Sequence, residues 1–147
     1  MASAKSFFTK EQQDQLLQAI EQAELNTSGE VRIHLENSCK GNVLDRAADL
    51  FAKLDMHKTK LRNGVLFYLA INDKKFAVLG DAGINAKLPS GFWDEVKEIM
   101  QQNFKLGNFT DGLSKGIILT GEKLKEHFPY QKDDTNELSN DISFGKN

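Results

Sequence analysis

The sequence predicts an α/β fold: a three-layer α/β/α sandwich with a small mixed sheet and helices on both faces. Three observations predict it. Apolar and polar residues alternate over residues 31–36, a helical stripe follows, and residues 64–71 are then almost continuously apolar, which is the strand, helix, strand order of a right-handed βαβ unit with parallel strands. Asn72 and Asp73 supply turn chemistry that sends residues 76–79 back antiparallel. Two further amphipathic stretches follow, so helices are available for both faces.

The elements are justified in chain order. Thr9 and Gln12 form a capping box, and Leu16, Leu17, Ile20 and Ala23 recur at helical spacing, predicting a helix over residues 10–25. Residues 26–29 end it. Val31, Ile33 and Leu35 alternate with Arg32, His34 and Glu36, the mark of an edge or half-covered strand. Asn42 can cap a second helix whose Leu44, Ala47, Ala48, Phe51 and Leu54 share a stripe, with Asp45 in its first turn. The apolar run from Gly64 reads as a central strand covered on both sides. After a short irregular piece, Ser90 can cap a third helix carrying Phe92, Val96, Ile99, Met100 and Phe104. The last helix, residues 110–127, places Gly112, Gly116 and Thr120 in a row suited to close packing.

Composition bounds the function. At 147 residues the chain can bury a core unaided, and 39% hydrophobic with 27% charged residues is a globular balance. One domain over residues 1–128 with a polar tail over 129–147 is expected, the tail being short of core-forming residues. A net charge of −2 gathers no nucleic acid. The N-terminus lacks the apolar core of a signal peptide and no run of about eighteen apolar residues occurs, so a soluble, cytoplasmic protein without a membrane role is expected, as a monomer. The single Cys39 can form no internal disulfide and reads as a structural thiol.

Strand directions then bring distant residues together. If the second strand runs parallel to the first and the third runs back, Glu30, Asn63 and Asp81 become neighbours on one edge of the sheet. Polar sheet ends of this kind are where sites form.

The patterns TSGEVRIH (residues 27–34), RNGVL (62–66), GDAGI (80–84) and FKLGNFTDGLSKGI (104–117) resemble the TPM-domain family, over roughly residues 10–128. That family includes thylakoid-lumen proteins described as acid phosphatases, photosystem-repair factors and a membrane-tethered receptor modulator. The resemblance implies the same α/β/α sandwich, a divalent-cation site with calcium as the usual ion, and phosphatase activity in some relatives. Relatives are commonly exported and often carry a transmembrane segment, and this sequence shows neither.

Hard cations take several oxygen ligands, which loops at one sheet end can gather. Asp81, between Gly80 and Gly83, is the first candidate ligand, with Glu30, Asn63 and Asp94 as the other oxygens the topology can bring near. The expected ion is calcium, with magnesium as the alternative. The competing structural reading has Asp81 shaping a turn, Glu30 pairing with Arg62 and Asp94 favouring a helix N-terminus. Functionally, a binding or regulatory module with a possible protein partner competes with a metal-dependent acid phosphatase on phosphate monoesters, in which Arg62 would hold a phosphate oxygen. No P-loop, aspartyl-phosphate signature or histidine cluster supports the enzyme, and His34, His57 and His127 are scattered. Trp93 at the start of the third helix, and the acidic residues Asp133, Asp134, Glu137 and Asp141 of the tail, are further surfaces a partner can use.

Overall fold

The computed structural model describes residues 4–25, 27–89, 91–130 and 142–145. Strand β2 (Gly64–Ala70) is buried along its whole length, which requires a neighbour strand on each side and a helix layer on each face. β1 (Glu30–Glu36) lies parallel to it, with Glu30 opposite Gly64 and Glu36 opposite Ala70. β3 (Lys75–Gly80) returns antiparallel, with Val65 opposite Gly80. A two-residue strand β4 (Ser143–Phe144) pairs parallel with the other side of β1, giving the order β3-β2-β1-β4.

The period of two along the strands sorts side chains into two cores. Val65, Phe67 and Leu69 face a layer made by α2 (Lys10–Glu24), α5 (Phe92–Lys105) and α6 (Phe109–His127). Leu66, Tyr68 and Ala70 face α3 (Val43–Lys53) and Met56, which sits in a 3-10 turn at Met56–Lys58. Helices therefore cover both faces, as the sequence predicts. α6 lies between α5 and α2 because its glycines allow it: a Cβ on Gly116 would collide with Met100, and one on Gly121 with the backbone of Ala23.

Several local expectations need correction. β1 is not an edge or half-covered strand, since β4 flanks it and His34 and Glu36 are buried on its second face. The stripe of α3 is displaced: Ala47, Leu50 and Phe51 are buried, whereas Leu44 and Ala48 are exposed. Two short helices, α1 (Ala4–Phe7) and α4 (Ala82–Asn85), occur where no helix is predicted. Of the stretch read as a tail, residues 143–144 join the sheet, and residues 131–141 with their four acidic residues lie outside the described residues. Ser90, the predicted cap of α5, also lies outside them, and Gly91, in the left-handed region at φ 84°, takes the cap position.

Candidate functional site

The register places Glu30, Gly64 and Asp81 in one row across the sheet. Glu30 pairs with Gly64, and Asp81, one residue past β3, donates its amide to the Gly64 carbonyl at 3.0 Å. Alternation directs Glu30 and Asp81 to the α3 side, and Gly64 puts no side chain between them. Two interstrand spacings make about 9.6 Å between their backbones, a gap that two carboxylates can close on one ion from either side. Glu30 and Asp81 are both buried, at 3% and 6% exposure. Asn63 stands at the same end of the sheet: its carbonyl accepts from the Glu30 amide at 3.3 Å and its Nδ2 donates to Ser28 Oγ at 3.3 Å. Its buried Oδ1 has no hydrogen-bond partner among the described residues.

Asp81 already faces a cation. Arg62 Nε and Nη2 donate to Oδ2 and Oδ1, each at 2.7 Å, and the Ala82 amide donates to Oδ1 at 2.7 Å as α4 begins. Burial pushes the carboxyl up, but the Arg62 fork and the Ala82 amide outweigh it and hold Asp81 below the ordinary carboxylate range. The Arg62 side chain is half exposed, at 49%, and its backbone sits in the left-handed region at φ 52°, where a non-glycine residue is strained. Gly83 closes this loop, its amide donating to the Arg62 carbonyl at 2.9 Å. Any Cβ on it would strike the carbonyls of Leu61 and Arg62. The Arg62 guanidinium thus pairs with Asp81, through two parallel bonds to the two carboxylate oxygens.

Asp94 is exposed on the first turn of α5, in the helix layer that covers the opposite face from the Glu30 and Asp81 row. Beside it, half-buried Trp93 packs on Gly80 and donates Nε1–H to Asn85 Oδ1 at 3.0 Å. Among the described residues, no group of three or more His, Cys, Asp or Glu is gathered closely enough to hold a metal ion.

A second polar cluster, absent from the sequence reading, lies at the other end of β1 on the same face. Glu36, fully buried, accepts from Arg46 Nε at 3.1 Å, from Arg46 Nη2 and from the Tyr68 hydroxyl at 2.5 Å. His34 Nε2 stands 3.5 Å from Glu36 Oε1, and its Nδ1 lies 2.7 Å from Ser143 Oγ. Ser143 Oγ also lies within donating distance of the Ile33 carbonyl, at 3.2 Å, and which way the bond between Nδ1 and Ser143 Oγ runs depends on the imidazole tautomer. Burial holds the His34 pKa below its ordinary value against the pull of Glu36. For Glu36, burial pushes upward and the bonds from Arg46 and Tyr68 bring it net below the carboxylate range. The sequence carried one signal for this cluster: Tyr68, a phenol inside a buried apolar strand, needs an acceptor for its hydroxyl.

A family model described as TPM domain matches residues 2–123. Among solved structures, the NMR structure of BA42 protein from the psychrophilic bacterium Bizionia argentinensis is 47% identical, with 99% of this chain and 100% of that chain covered and a TM-score of 0.90. The N-terminal domain of a P. gingivalis protein is 19% identical over 84% of this chain and 82% of its own, with a TM-score of 0.70. The N-terminal domain of cg2496 from Corynebacterium glutamicum is 8% identical over 96% and 82%, with a TM-score of 0.65. The last two share the fold. None of the curated proteins compared matches the chain. Among the described residues, no helix is long and apolar enough to cross a membrane.

Proposed function

This chain belongs to the TPM-domain family, and on that premise we propose that it is a binding module that takes a divalent cation between Glu30 and Asp81, with Asn63 as a further oxygen ligand. The observation that carries the reading is the row itself: two buried carboxylates on one face, separated by a glycine, at a rim where an amide oxygen lacks a partner. The donor set is all oxygen and its geometry irregular, which suits calcium better than magnesium, whose octahedral shell is strict. Arg62 occupies the cation's place against Asp81. Its half-exposed side chain can leave for solvent at little cost, so the ion exchanges one positive partner for another. Asp94, on the opposite helix layer, is not needed. The phosphatase alternative is less favoured because Arg62, the basic group a phosphate would use, has both arms of its fork on Asp81.

The test is a calcium titration read by the fluorescence of Trp93, the chain's single tryptophan, which packs on Gly80, the residue before Asp81, from the other face of the sheet. Binding is expected to be saturable, lost in Asp81→Asn and tighter in Arg62→Gln, which removes the competing charge. At about a hundred times Kd the ion stabilises the fold by roughly 2.7 kcal/mol, several degrees in Tm. A melting curve and a fluorescence signal both indifferent to calcium and magnesium would refute the site.

A further inference from the structure

At the opposite end of β2 and β3 from the Asp81 rim lies a cavity of about 590 Å³. Its lining includes Leu69 from β2, Phe76 from β3, Phe104 from α5 and Phe109 from the start of α6. The three phenylalanines form a continuous wall: Phe76 meets Phe104 edge to face with ring centres 5.1 Å apart, and Phe104 meets Phe109 at 5.2 Å and a 31° tilt. All three are only partly buried, so ring surface that could have been covered on folding is left facing the cavity.

The mouth is basic. Lys74, in the turn between β2 and β3, and Lys105, at the end of α5, line the cavity and are both exposed. Neither takes part in an ion pair among the described residues, and no acidic side chain lines the cavity. Lys74 is held in the left-handed region at φ 55°, a conformation that costs energy for any residue with a Cβ, and Gly107 on the facing lip is left-handed at φ 79°. The site also lies past the carboxyl end of β2, on the side of a parallel strand pair where α/β proteins bind ligands. Its volume falls within the range of small-molecule pockets, about 300–1,000 Å³.

We infer that this cavity binds a small amphipathic organic anion, its apolar body against Phe76, Phe104 and Phe109 and its carboxylate or phosphate head between Lys74 and Lys105. The aromatic wall supplies area without hydrogen-bond demands, so a flat ring or a short alkyl chain fits equally. The two ammonium groups are point charges on flexible stems at a solvated mouth, which selects for a negative head without fixing its geometry. The segment that builds the site, residues 104–109, is the FKLGNF part of the sequence pattern; its two phenylalanines pack on the core with one side and leave the rest of their rings to the cavity.

The test is an NMR titration of the full chain with octanoate, matched by one with 1-octanol. Octanoate is expected to bind saturably, with amide shifts centred on Lys74, Phe76, Phe104, Gly107 and Phe109. Reversing both charges with Lys74→Glu and Lys105→Glu should weaken octanoate roughly tenfold while leaving the melting temperature unchanged, since both side chains are exposed. Gln101→Trp, at the exposed mouth, should block the cavity without altering its charge. Equal binding of 1-octanol and octanoate, shifts centred elsewhere, or undiminished binding to the charge-reversed or Gln101→Trp chain would overturn the inference. Because Asp81 is remote from these residues, Asp81→Asn should bind octanoate as the unaltered chain does, so this result is separable from the outcome of the cation titration.

Discussion

At the scale of single residues, His34 is the most informative side chain. It is buried between a serine hydroxyl and a carboxylate, so its ring is fixed and its charged form is penalised. An NMR titration is expected to give His34 a midpoint below the ordinary value of 6.5. Glu36→Gln should lower the midpoint further, because it removes the one neighbour that favours the proton. A midpoint at or above 6.5, or one that rises in Glu36→Gln, would show that burial is not the dominant influence.

For elements, the instructive contrast is between β2 and β4. β2 has two partner strands and two helix layers, and no single contact decides its place. β4 is two residues long, too short to be stable by pairing alone. It is held by Ser143 Oγ on His34 and on the Ile33 carbonyl, and by the Gly145 amide donating to the Leu35 carbonyl at 2.7 Å, bonds worth about 1 kcal/mol net each. Gly145 in turn packs directly on the Glu36 side chain, where a Cβ would collide. A chain ending at residue 141 is therefore expected to keep its cooperative unfolding and its β1, β2 and β3 ladder by amide exchange. Its His34 midpoint should move up toward 6.5, because water regains access to the ring. An unmoved midpoint would mean that α3 and β1 alone desolvate the histidine.

Taken as a whole, the molecule concentrates its buried charge on one side of the sheet, the side covered by the single helix α3. His34, Glu36 and Asp81 all lie there, and all three carry pKa values below their ordinary ones. For the two carboxylates the stability they contribute is present above the unfolded pKa, near 4, and is lost progressively as pH falls from there through their lower folded-state values. For His34 the folded state resists a proton that the unfolded chain accepts from about pH 6.5 downward, so stability falls there too. Melting temperatures measured from pH 8 to pH 3 are expected to decline in two stages, first below about 6.5 and then more steeply below about 4.5. His34→Asn should remove the first stage and leave the second. A profile flat between pH 7 and pH 5 would contradict the role assigned to His34.

The sequence by itself determined the strand order and direction of the central βαβ hairpin, the two-sided burial of β2 and the meeting of Glu30, Asn63 and Asp81 at one rim. These follow from local periodicity and from the handedness of the crossover, which act over short stretches of chain. Tertiary structure alone decided where charges find their partners. Arg62 goes to Asp81, and His34 and Glu36, on the face that alternation marks as the less covered one, are buried beneath Arg46 of α3 and beside β4. The aromatic wall of Phe76, Phe104 and Phe109 likewise exists only once two distant segments meet. The physical reason is common to all three: burial of a polar or aromatic group depends on what a remote element brings to cover it, and a residue's own neighbours in sequence carry no record of that.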